Sequence, residues 1–360
     1  MMMNFETEED IEYLLYSIDG EYSSNNKDIA FECVKKAAAL NNKYLEFRAR
    51  YEHLSQLVFC NLYEEAIPMY PWLLNYMKTY DEEHMQILWA FKWVVGHISH
   101  FHKIPLSKIN ELFDLYEKEY TAYGETKKIV AYKKLYHYLN IGELTLADEM
   151  YDIFKKSKKG ELDDCGACQK HGIIEYHFAK KNYKALLAES EKLFSQKQNC
   201  VEVPNITYPL VSYVYLLLNK LPEAEHHAQI ANKKLKFNIF QSNAFYLLLY
   251  YSKTKQFVPG KKLIDKQLPF IINNNDNIFK FNFYGACYVY FKCLEQDNIT
   301  DYKLKSADLV KGKIQPTKAN NYAVTALKDY FYNEAKQESI LLDNRNQNKY
   351  YHEKLAELVV

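Results

Sequence analysis

Residues 210–231 read LVSYVYLLLNKLPEAEHHAQIA. Leu210, Val214 and Leu217 share one helical face, Asn219 and Lys220 interrupt it, and Leu221, Ala224, Ala228 and Ala231 form a second face at helical spacing. Pro222 stands near the start of the second helix, where a missing N–H costs little. The stretch is therefore a helical hairpin, with a small inward residue, Ala224, five positions after the turn residue Asn219.

The same punctuation recurs. The turn residues Asn61, Gly142, Lys181, Asn219 and Lys255 are followed five positions later by Ala66, Ala147, Leu186, Ala224 and Gly260. From Ala147 onward the copies lie 39, 38 and 36 residues apart, and the 81-residue step from Ala66 to Ala147 is close to two such periods. A period of this length predicts a solenoid of antiparallel helical hairpins. Ala131, Leu135 and Leu139, then Leu144, Ala147, Tyr151 and Phe154, repeat the design around Gly142.

Working outward, hairpins are expected at 6–41, 44–80, 84–123, 126–156, 165–196, 204–238 and 240–274, giving a repeat array over 1–274. A C-terminal region, 275–360, is expected to hold a helix to about 295, an irregular lysine-rich loop over 299–321, and helices at 322–340 and 347–359. The polar segment 344–349 suits a solvent-facing cap. Ten glycines and nine prolines in 360 residues are too few for the turns of a sandwich or barrel, so the class is all-α.

A turn, an alanine five later and an aromatic four beyond, as in Gly142, Ala147 and Tyr151 or Asn61, Ala66 and Tyr70, resembles the tetratricopeptide repeat (TPR) over most of 44–274. The period is longer than that family's roughly 34 residues, and the first-helix tryptophan is mostly absent. The combination of Trp93-Val94-Val95, Asp163-Asp164-Cys165-Gly166-Ala167-Cys168, Cys200 followed by Pro204, and Leu342-Asp343-Asn344-Arg345-Asn346 is similar to a group of uncharacterised bacterial TPR-like proteins. That resemblance implies the fold and carries no activity with it.

Charge narrows the partners. The 46 basic side chains balance 46 acidic ones, and only Arg48, Arg50 and Arg345 carry the guanidinium that reads phosphate bidentately. Nucleic acid and anionic membranes are therefore not expected partners. The acidic start lacks a secretory pattern, and the longest mostly apolar run, 208–218, falls short of the roughly 20 residues that span a bilayer. A cytoplasmic protein is the expectation. No nucleophile elbow, phosphate loop or zinc-protease helix occurs, so no enzyme is expected.

Two constellations carry the functional expectations. Cys165 and Cys168 form a Cys-x-x-Cys at the mouth of one helix, and Cys200 follows its partner, so an out-and-back hairpin returns the third sulfur beside the first two. Three thiolates suit a structural zinc, with His171, Asp163 or Asp164 as a fourth ligand; a redox pair or space-filling thiols are the alternatives. The second constellation is aromatic. Many of the 33 tyrosines sit on first helices, which line the concave face of TPR-like stacks, so Tyr136, Tyr176, Tyr213, Asn243 and Tyr246 are candidates for a peptide groove, the alternative being rings packed between helices. His97, His100 and His102 read as a polar helix end, and His226 and His227 as adjacent residues pointing in different directions. The function expected is a scaffold for a peptide or protein partner, with a peptide- or metal-responsive sensor as the second reading.

Overall fold

The computed structural model describes residues 6–80, 84–195, 199–200, 202–234, 243–310, 312–318 and 320–359. The expected hairpin ends at 196 and 238 and the expected hairpin start at 240 fall outside them.

Among the described residues the chain is all-α apart from one short ribbon. In order it forms α1 (Glu8–Ile18), α2 (Ser24–Ala39), α3 (Lys43–Phe59), α4 (Tyr63–Ala66), α5 (Tyr70–Tyr80), α6 (His84–His97), α7 (Leu106–Tyr123), α8 (Lys127–Ile141) and α9 (Leu144–Lys156). There follow α10 (Gly166–Ala179), α11 (Tyr183–Ser195), α12 (Thr207–Leu217), α13 (Leu221–Lys234), α14 (Ala244–Lys253), α15 (Phe257–Ile272) and α16 (Asn277–Gln296). Strands β1 (Asp301–Lys303) and β2 (Asn321–Ala323) precede α17 (Val324–Asn346) and α18 (Tyr350–Val359).

The turn residues do what their positions imply. Asn61, Gly142, Lys181, Asn219 and Lys255 all have φ between +54° and +82°, the left-handed conformation that ends a helix. At each, the next residue's N–H reaches back to the carbonyl five before it, as from Lys220 to Tyr215 (2.9 Å) and from Gln256 to Tyr251 (2.8 Å). Asn182 then accepts the Ala185 N–H, capping α11. Five residues on, Ala66, Ala147, Leu186 and Ala224 are fully buried. At Gly260 an added Cβ would lie 2.5 Å from a Tyr290 ring carbon, so the position admits nothing larger.

Two further junctions share this backbone without the sequence signature. Gly124 (φ +97°) precedes fully buried Ile129, and Asn41 (φ +56°) precedes Glu46, only 3% exposed. Burial raises the pKa of the Glu46 carboxyl, but hydrogen bonds and charge from Lys43 and Arg50 outweigh it and hold the group below its usual range.

The chain divides into two compact units, residues 1–99, 104–137 and 149–163 in one and 100–103, 138–148 and 164–360 in the other. In the first, Ile11, Leu14, Leu15, Cys33, Val34, Ala37, Leu45 and Ala49 form a core among α1, α2 and α3. In the second, α12 packs on α14 and α14 on α16. The α16 helix is apolar nearly all round, as a helix surrounded by others must be, and its buried residues include Phe281, Phe283, Tyr284, Val289 and Phe291. Residues 275–360, read from the sequence as a separate region, belong to this second unit with α10–α15.

Two expectations for that region need correction. The segment 299–321 is not wholly irregular: β1 pairs antiparallel with β2, Tyr302 opposite Tyr322, and the Tyr302 ring packs 4.9 Å from Phe291. The segment 344–349 faces solvent only in part: Asn344, Gln347 and Lys349 are exposed, whereas Arg345 and Asn346 are 9% and 6% exposed. Arg345 donates to the Phe101 carbonyl (3.2 Å), and Asn348 to that of Ile141 (2.7 Å). Neighbouring Asp343 accepts the Tyr351 and His352 N–H groups, both at 2.8 Å, and so caps α18.

Candidate metal centre

The centre is assembled by three helices. Cys165 is the N-cap of α10, with extended backbone (φ −61°, ψ 155°), and Cys168 lies one turn inside the helix. Chain leaving α11 reaches Cys200 and turns into α12. Ala167, Ile174, Leu186, Leu193, Val203, Leu210, Val211 and Val214 form the apolar cluster beneath, against which Cys168 and Cys200 pack. This shared core brings Cys200 back to the start of α10.

The three sulfurs lie within 4.8 Å of one another, and Cys168 Sγ is 3.3 Å from Cys200 Sγ. Sulfurs bound to one zinc at roughly 2.3 Å stand about 3.8 Å apart, so small rotations would close the set on an ion. Cys165 is exposed and the other two partly buried. Two backbone donors already point at sulfur in the same i, i+3 pattern: the Cys168 N–H to Cys165 Sγ (3.4 Å) and the Val203 N–H to Cys200 Sγ (3.3 Å). The Cys200 N–H in turn donates to the Val203 carbonyl at 2.8 Å and closes the turn. Burial pushes the Cys168 thiol well up, and the neighbouring Cys200 and Cys165 sulfurs add to the shift. A metal ion would replace that proton.

His171 is not brought into the cluster. It is 5% exposed; its Nδ1 is 2.9 Å from Thr207 Oγ1 and its Nε2 is 3.3 Å from Glu175 Oε1. With both ring nitrogens engaged, the expected fourth ligand serves a polar core instead. The aspartates do not join either: the Asp163 carboxylate accepts the Gly160 N–H (3.2 Å), and Asp164 lies outside the group of converging donors.

Asn243 completes that polar core. Its side-chain amide donates to the Ile206 carbonyl at 3.1 Å and approaches Glu175 at 3.4 Å and His171 Nε2 at 3.5 Å. Nearby Glu202 is pushed up to about 7 by burial, against the pull of His171. Thr207, Glu175 and Glu202 were not singled out in the sequence. The one signal available was the i, i+4 spacing of His171 and Glu175, which places them on one face of α10.

The groove candidates divide by burial. Asn243 is 4% exposed, and Tyr176, at 8%, donates its hydroxyl to Asp148 Oδ1 (2.8 Å), so both are packed inside rather than presented to a partner. Tyr213 and Tyr246 are half-buried with ring centroids 5.7 Å apart, Tyr246 also meeting Phe178 at 5.2 Å. Tyr136 is half-buried in the first unit, edge-on to Tyr132. The histidines have separate partners: His97 bonds the Trp93 carbonyl, His100 pairs with Asp276 at 2.7 Å, and His227 bonds the Glu223 carbonyl.

Among the described residues no helix is long and apolar enough to cross a membrane. No protein-family model matches the chain, and no curated protein sequence matches it.

Proposed function

We propose that the protein is a non-catalytic, TPR-like helical scaffold that binds a peptide or protein partner, and that Cys165, Cys168 and Cys200 hold a structural zinc. The observation that carries the zinc reading is the convergence of three sulfurs from two sequence-distant segments within 4.8 Å. The ion would tie the first turn of α10 to the chain entering α12, reinforcing the packing of Val203 and Ile206 on the apolar cluster. The scaffold reading draws support from the recurring left-handed turns with buried small residues and from the packing of α12, α14 and α16 on one another. The half-buried rings of Tyr213 and Tyr246 are the contact residues it favours. Reduced thiols with this role suit the cytoplasm.

The test combines metal analysis with partner capture. Protein purified under reducing conditions is expected to carry one zinc per chain, and the triple cysteine-to-serine variant none. Tyr213→Ala with Tyr246→Ala is expected to lose partners that the parent chain recovers from host extract. Absence of zinc from the parent chain even after incubation with the ion would refute the centre; equal recovery by both chains would refute the groove.

A metal-responsive sensor is the second reading, and one observation favours it. The segment that begins at Cys200 ends on Ile206 and Thr207, which bond Asn243 of the α14 N-cap and His171 of α10. Metal occupancy therefore has a short covalent route to a buried polar core. Identical small-angle scattering and hydrogen-exchange patterns with and without zinc would remove this reading.

A further inference from the structure

We infer that the cysteine centre takes its fourth metal ligand from outside the chain, and that this position accepts a small-molecule thiolate. The inference rests on the zinc reading above and concerns which donors complete it.

Zinc in a structural site is four-coordinate. Among the described residues the chain brings only three donors together, and they are all sulfur. The imidazole expected as the fourth is held away by Thr207 and Glu175. Undescribed Gln196, Lys197, Gln198 and Val201, near Cys200 in sequence, contain no thiol, imidazole or carboxylate, and the carboxylates of Asp164 and Glu202 lie outside the converging group. Cys168 and Cys200 pack on the apolar cluster, whereas Cys165 is exposed, so the triangle of sulfurs has an inner edge against protein and an outer corner at solvent. A fourth ligand approaches from that corner. An ion already held by three soft donors favours another soft donor, which selects a thiolate over a carboxylate. No bond in the protein changes: the incoming thiol releases its proton to solvent and its sulfur displaces a labile ligand such as water.

Cobalt(II) reports both the number of sulfurs and their exchange. The metal-free full-length chain is loaded with cobalt(II) and titrated with 2-mercaptoethanol, and metal retention is checked by gel filtration. A sulfur-to-cobalt charge-transfer band that requires all three cysteines is expected first. Thiol is then expected to raise it saturably by about one third, one sulfur added to three, with cobalt retained. His171→Gln, which keeps a polar partner for Thr207, is expected to give the same spectrum and titration. A band unmoved by thiol, a band lost because thiol strips the ion, or a His171→Gln spectrum altered in its ligand-field region would each overturn the inference while leaving a metal centre in place. Absence of any charge-transfer band in the parent chain would overturn the zinc reading itself, and the inference with it.

Discussion

The α12–α13 turn and the α11–α12 connection lie in the same unit and are held by different means. At the first, Asn219 takes a left-handed φ of +56°, Lys220 bonds back to Tyr215, and fully buried Ala224 lets the helices close. Backbone hydrogen bonding and a small side chain suffice there, and the design recurs along the chain. At the second, the helices are joined by a longer segment, and among its described residues a sulfur contact, one N–H···S bond and the polar core of His171, Thr207 and Asn243 hold it. Of these two junctions, the regular turn is held by backbone and packing, and the longer connection collects the chemistry-bearing side chains. The regular turns should therefore respond to size and φ, and the connection to metal.

The largest expected effect lies at the connection. With free zinc about 1,000-fold above its Kd, metal stabilises the native state by about 4 kcal/mol, so chelator should lower the melting temperature by several degrees. Cys168→Ser should melt at the lower temperature with or without chelator, as calorimetry would show. Chelator sensitivity retained in Cys168→Ser would mean that the ion binds elsewhere.

Next come the small residues. Ala224→Leu is expected to cost about 1–3 kcal/mol by overpacking, and Gly260→Ala a comparable amount, since its Cβ would meet the Tyr290 ring, only 1% exposed, at 2.5 Å. Denaturant midpoints would measure both, and zinc should leave the two losses unchanged. Mutational costs that vanish on zinc addition would erase the distinction between the two regions.

The turn residues come third. Asn219→Val is expected to cost about 1–2 kcal/mol, because a β-branched side chain opposes the left-handed conformation, while Asn219→Gly should be nearly neutral. Equal costs for the two substitutions would show that the turn's φ does not set its stability.

A separate expected effect is acid sensitivity outside the centre. Burial lowers the His53 pKa from 6.5 to about 4, with Lys27 and Arg50 adding to the shift. The folded state therefore binds fewer protons than the unfolded one between these values. Its stabilising contribution is complete above about pH 6.5 and is lost as pH falls toward 4. In the Cys168→Ser background, His53→Gln should flatten the stability profile over that window; an unchanged slope would assign the sensitivity to other groups.

Much of the fold was legible because its determinants are local. A left-handed turn selects Asn or Gly within a few residues, and helical periodicity marks which faces are inward, so the turns at Asn61, Gly142 and Asn219 and the buried alanines after them could be read directly. Lys181 and Lys255 were legible only through their period, since lysine has no preference for positive φ. The boundary at Asn41 was expected from periodicity, but its turn did not show the recurring pattern because the inward position is Glu46, a charge made tolerable by Lys43 and Arg50. For the cysteines, hairpin geometry sufficed to predict their approach. It could not exclude His171, because the partners that hold it, Thr207 and Asn243, arrive from α12 and the α14 N-cap. The same limit explains Arg345, which looks like a surface charge until Phe101, 244 residues away, accepts its hydrogen bond.

X-ray absorption at the zinc edge, on full-length protein loaded with one equivalent of zinc under reducing conditions, tests the central claim most directly. The expected result is three protein sulfurs at about 2.3 Å, with one further ligand whose identity changes when a small thiol is added. A first shell of nitrogen and oxygen alone, or a sulfur shell unaltered by Cys200→Ser, would contradict a centre built from Cys165, Cys168 and Cys200.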